Sequence, residues 1–146
     1  MRPALLTALC LVLGTPVVAQ QAPPASHPDS ARFVTEDIAR FWKAWDRMAA
    51  ASTRQDSVRA LFEEYYLPAS PGLIGFIRSR VGSVYDLLAT LESRRAFYAS
   101  RRTTTTAVQG SSPLLRGQFG QFQAEYGAAR FPDVWFLVGR MSSGGT

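Results

Sequence analysis

The chain has 146 residues, with 16 basic and 11 acidic side chains, a formal net charge of +5 and 47% apolar residues. A single cysteine, Cys10, and a single histidine, His27, leave no disulfide framework, no Cys-based zinc site and no imidazole base for a serine triad beyond His27 itself. All basic residues except Lys43 are arginine, a bias that genome composition can produce, so it is not read as nucleic-acid chemistry.

The start is a secretory signal. Arg2 precedes an apolar run from Ala4 to Val18, which closes on Val17-Val18-Ala19, and cleavage is expected after Ala19. Gly14 and Pro16 break the run, which is shorter than the roughly 20 apolar residues of a membrane span, so a retained anchor is the weaker reading. Cys10 follows Leu9 inside the apolar core rather than at its end, so it leaves with the signal instead of carrying lipid. Removing Arg2 leaves 15 basic against 11 acidic residues, a mature charge of +4. The expected location is periplasmic or extracellular. Residues 20–32 are rich in Pro and Ser and read as a flexible leader to one domain spanning 33–146.

Thr35 predicts the N-cap of a first helix running to Ala51, with Glu36 and Asp37 at its positive end. Ile38, Phe41, Trp42, Trp45, Met48 and Ala49 form its apolar stripe, read as core rather than as a ligand platform. A second helix is expected over Asp56–Tyr66, where Val58, Leu61, Phe62, Tyr65 and Tyr66 repeat the spacing. Ser70-Pro71 starts a third, and Ser83 caps a fourth carrying Val84, Leu87, Leu88 and Leu91 that can run on through Tyr98. Residues 103–106 are four threonines, whose β-branching favours a strand or an irregular link. Ser112-Pro113 starts a fifth helix, with Leu115, Phe119, Phe122 and Tyr126 on one face. Val134–Val138, five apolar residues between Pro132 and Gly139, read as a buried strand.

The expected fold is therefore mainly α: about five helices leading into one buried β-strand, an incomplete α+β arrangement. A buried strand needs backbone partners. Only the threonine stretch offers itself, so the chain reads as ending before its sheet is complete, with self-association through Val134–Val138 as one consequence.

The residues supply no catalytic, cofactor-binding or metal site. His27 sits in the leader between Ser26 and Pro28 with no second histidine. Glu36-Asp37 and Glu63-Glu64 are sequence neighbours that point to different sides of a helix, so they read as surface charge rather than as acid/base pairs. Gly144-Gly145 lacks the basic residue and following helix of a phosphate cradle. The Arg94-Arg95 and Arg101-Arg102 pairs read as a solvated helix face, with an anionic surface as the functional alternative.

The stretch Phe131-Pro132-Asp133-Val134-Trp135-Phe136-Leu137-Val138-Gly139-Arg140-Met141-Ser142-Ser143-Gly144-Gly145-Thr146 resembles part of a bacterial family of exported or surface-attached predicted zinc-dependent proteases related to gliding-motility lipoproteins. Val34-Thr35-Glu36-Asp37-Ile38 with Phe41-Trp42, and Tyr66-Leu67 leading to Ser70-Pro71-Gly72-Leu73, resemble that family's N-terminal helices. The resemblance implies a zincin-like fold if the chain is extended, with an H-E-x-x-H helix further downstream and a peptide or protein substrate. Zinc is thus implied for a full-length relative only. The resemblance places no metal ligand or catalytic residue on any position of this chain. The expectation is an N-terminal, non-catalytic part of a metallopeptidase-like protein. The alternative is a non-enzymatic helical binding or structural module, and a third possibility is a family branch that has lost the metal motif.

Overall fold

A computed structural model describes residues 27–142. The expected signal peptide with Cys10, the leader up to Ser26 and the Ser143–Thr146 block lie outside the described residues.

The chain folds as six α-helices and one short pair of strands among the described residues. Helix α1, Glu36–Ala49, runs through the middle of the core, burying Ile38, Phe41, Trp42, Ala44, Trp45 and Met48. The apolar stripe read from its sequence is the face that packs, except that Ala49 is exposed and Ala44 is buried in its place. Helix α2, Arg54–Leu61, starts two residues earlier than expected because Thr53 accepts the Asp56 amide at 3.1 Å. It continues as a π-helical turn, Phe62–Tyr66, closed by a Leu67 amide to Phe62 carbonyl bond of 2.8 Å. Tyr65 is buried and its neighbour Tyr66 is half-buried.

Helix α3, Pro71–Phe76, has proline in its first turn, and Ser70 caps the Leu73 amide at 3.2 Å. A second π-helical turn, Ile77–Val81, follows and stops at Gly82, whose φ of +80° only glycine adopts without strain. Helix α4, Val84–Ser93, opens on a full capping box between Ser83 and Asp86. Its Leu87, Leu88 and Leu91 are fully buried. Each contributes about 1.5–3 kcal/mol by transfer from water.

The expected continuation of α4 through Tyr98 is interrupted. Arg94 leaves helical geometry (φ −122°, ψ 27°), and a separate helix α5 spans Arg95–Ala107. That helix includes all four threonines of 103–106, which corrects the expected strand or link. The Thr105 hydroxyl donates to the Arg101 carbonyl at 2.9 Å and accepts the Trp42 indole N–H at 3.0 Å. A buried indole needs such an acceptor, and this tertiary bond outweighs the modest helix preference of threonine.

Helix α6, Ser112–Glu125, contains no buried residue. Its Phe119 ring lies 5.5 Å from that of Phe33 and 5.0 Å from that of Phe131. The segment expected as a five-residue buried strand is a two-residue strand β2, Val134–Trp135, in parallel register with β1, Phe33–Val34. The partner is thus β1 rather than the threonine run, which is helical. Val134 to Leu137 are half-buried and Val138 is buried.

From His27 onward the expected leader is packed. Pro28–Ser30 form a 3-10 turn, Ala31 is buried, and the Arg116 guanidinium donates to the Pro28 and Ala31 carbonyls at 3.0 and 3.2 Å. Proline fixes the turn, and arginine satisfies carbonyls that composition alone assigned to solvent.

Candidate functional site

The helical core holds the segment after β2 by its backbone. The buried Tyr65 hydroxyl donates to the Val138 carbonyl at 2.7 Å and accepts the Val138 amide at 3.1 Å. The Tyr98 hydroxyl donates to the Gly139 carbonyl at 2.7 Å. Two helical elements far apart in sequence thus grip consecutive peptide units. Burial raises both phenols above their ordinary pKa, so each remains a neutral donor rather than a base.

Close packing fixes the same segment laterally. A Cβ on Gly72 would run into the Trp135 ring, and one on Gly139 would lie 2.6 Å from Phe76. Absent side chains at these two glycines let α3 and the strand segment touch. Asp133 accepts from the Arg32 backbone amide at 3.0 Å and from its Nε at 2.8 Å, and the guanidinium beside it holds the carboxyl below its usual range. Arg140 lies 3.6 Å from Asp86, and the Ser142 hydroxyl donates to the Arg80 carbonyl at 2.8 Å.

Glu36 and Asp37 separate as their sequence spacing requires, but not all of the acidic residues are surface charge, and Glu63 and Glu64, expected on different sides of their helix, instead converge on Arg47. Glu36 is exposed, whereas Asp37 is fully buried, which corrects the surface assignment. Asp37 accepts from Arg40 at 2.7 Å and from the Ser70 hydroxyl and amide. It thereby ties the start of α1 to the cap of α3. Ser70 has no imidazole beside it and acts as a cap. Glu63 and Glu64 both reach Arg47, at 3.0 and 2.5 Å, and Glu64 also meets Lys43 at 2.8 Å. Those cations hold the Glu64 carboxyl below its usual range, Lys43 most strongly.

His27 accepts the Asp29 amide at 3.2 Å and caps the first 3-10 turn, on the exposed surface. No group of three His, Cys, Asp or Glu placed to share a metal ion occurs among the described residues. Two open clefts are present: one of about 410 Å³ between α2 and α4, lined by Val58, Phe62, Val84 and Tyr85 with Gln55 and Arg59, and one of about 320 Å³ beside Arg47 and Asp56. The second also holds Ser52, with Asp56 as the carboxylate on its lining, and neither is lined by a histidine or cysteine. No helix among the described residues is long and apolar enough to cross a membrane.

The tyrosine grip escaped sequence reading because both tyrosines sat in apolar stripes, where a phenol counts as bulk. A polar tip on a fully buried ring is the available signal, since a buried hydroxyl demands a partner. No family model matches the chain, and no curated protein or solved structure matches it either.

Proposed function

We propose that this chain is the helical N-terminal scaffold of an exported, metallopeptidase-like protein, and that it presents the segment 131–142 without performing catalysis itself. The observation that carries the reading is the paired grip of Tyr65 and Tyr98 on Val138 and Gly139. It anchors the Gly139-Arg140 end of the stretch on which the family resemblance rests. Scaffold helices that fix a strand's exit by its backbone position whatever follows, independently of side-chain identity. Zinc and a peptide substrate belong, in this reading, to a downstream helix and not to these residues.

The test reads the coding sequence past Thr146 and assays its full product. An H-E-x-x-H helix, one zinc per chain and chelator-sensitive peptide hydrolysis are expected. A continuing frame without that motif, or stoichiometric zinc on residues 20–146 alone, sinks the proposal. Export is tested separately by intact mass, with a periplasmic species beginning at Gln20 expected and soluble cytoplasmic protein retaining Met1 refuting it.

A second reading rests on a different observation. The Val134 and Phe136 amides bond to the Arg32 and Val34 carbonyls on the β1 side, so the alternate amides of Trp135 and Leu137 face the outer edge of β2, where another strand can pair. In that reading the chain is a helical binding module that self-associates or takes an extended partner. Edge pairing between copies follows from either reading, so the sequence encoded past Thr146 separates them: an H-E-x-x-H helix supports the scaffold, and a frame without it supports the binding module.

A further inference from the structure

Residues 93–124 contain five arginines and no aspartate or glutamate. Four of the five, Arg94, Arg95, Arg101 and Arg102, fall at or within α5 as two pairs seven residues apart. Seven residues are two turns, so the pairs repeat along one side of the helix about 10 Å apart. The structure shows how they differ. Arg102 is committed to Asp46 at 2.6 Å while covering the Trp42 ring at 5.1 Å. Arg95 lies 5.8 Å over Trp45 and Arg101 lies 4.9 Å over Phe97, while neither they nor Arg94 meet a carboxylate among the described residues. All three are exposed, and Phe97, one turn from both Arg94 and Arg101, is 39% exposed between them.

Elsewhere most acidic groups are matched to a cation, as Asp46, Glu63, Glu64, Asp86, Glu92 and Asp133 are. Charge on α5 is therefore left over rather than balanced. The Arg101 guanidinium is already ordered by stacking on the Phe97 ring, which lowers the entropy lost on engaging an anion. We propose that the face of α5 carrying Arg94, Phe97 and Arg101 docks on an anionic phospholipid surface, with Arg94 and Arg101 meeting headgroup phosphates and Phe97 entering the interface between them, while Arg95 stays stacked on Trp45 on the core side. An exposed aromatic flanked by arginines on one helix face suits a headgroup boundary, where the ring and the guanidinium groups reach different depths.

The experiment is co-sedimentation of purified protein beginning at Gln20, which retains every contact described above, with two kinds of vesicle. One is phosphatidylglycerol mixed with phosphatidylcholine, and the other is phosphatidylcholine alone. Binding to the anionic vesicles only, weakening with salt, is expected. Each cation near such a surface contributes about fivefold in affinity, so Arg94→Gln with Arg101→Gln should weaken binding on the order of 25-fold. Arg94→Lys with Arg101→Lys should retain it, and Arg59→Gln with Arg130→Gln, an equal charge loss on other elements, should leave it within about twofold. Equal losses in the two glutamine variants, equal binding to both vesicles or no binding overturns the proposal. Tighter binding to a short DNA duplex than to the anionic vesicles at the same salt overturns it in favour of nucleic acid.

Discussion

The Tyr65 hydroxyl lies 2.7 Å from the Val138 carbonyl oxygen and 3.1 Å from the amide nitrogen of the same residue, so one side chain satisfies both polar groups of one peptide-bearing residue. Tyr65 is fully buried and Val138 nearly so. Water cannot substitute there without reopening the core.

Tyr65→Phe should therefore cost more than the loss of one ordinary hydrogen bond. Leaving a buried amide and carbonyl unpaired is worth about 1–3 kcal/mol. Tyr98→Phe removes one bond to Gly139 and should cost about 1 kcal/mol. Urea denaturation ranks them, and a Tyr65→Phe variant as stable as the parent would remove the grip from the account.

Two glycines in α3 make a matched pair. Gly72→Ala drives a methyl into the Trp135 ring and should destabilise by about 1–3 kcal/mol. Gly75 has open space around its Cα, and Gly75→Ala should stabilise by about 0.5–1 kcal/mol through the helix preference of alanine. Hydrogen exchange should show segment 131–139 opening faster in the first variant only.

Asp37→Ala should be the most harmful single change at an acidic position, at about 2 kcal/mol or more. It strands the Ser70 hydroxyl and leaves Arg40 without its partner beside a buried site. Asp37→Asn keeps an acceptor for Ser70 and should recover part of the loss. Thermal melts of the two variants decide it, and equal loss in both would show that the charge rather than the acceptor matters.

Stability should fall at both ends of the pH range. Asp46, Glu64, Asp86 and Asp133 have carboxyls held below their usual range, by Arg102, by Lys43 and Arg47, by Ser83 and by Arg32 respectively. A depressed folded-state pKa contributes stability that is present above the unfolded value and lost as pH falls through the folded one, so melting temperature should drop below about pH 4. The phenols run oppositely. Burial raises Tyr65 and Tyr98, and pushes Tyr66 up to about 12, so their contribution is full below about pH 10 and lost above it. A melting temperature unchanged from pH 9 to 12 would contradict that assignment.

Local chemistry made α1, α3 and α4 legible, because Ser70, Pro71, Ser83 and the apolar stripes act within a turn or two of themselves. What escaped depends on distant partners. The threonine run is helical because Trp42, 63 residues away, uses Thr105 as its acceptor. Asp37 is buried because Ser70, 33 residues on, meets it. Phe33-Val34 is too short for a period-two pattern, so β1 became visible only beside β2. The guanidinium stacking on α5 depends likewise on which rings the fold brings under each arginine.

Because β1 and β2 lie in parallel at opposite ends of the described chain, the Arg32–Asp133 contact spans 101 positions. Helices α1 to α5 can assemble from shorter-range contacts, whereas the strand pair must wait until the polypeptide has emerged past Phe136. Closure of so long a loop follows the local steps rather than leading them. During synthesis, then, Phe33 remains uncovered until Phe119 and Phe131 have followed it, and that interval is when a chaperone would find its apolar surface.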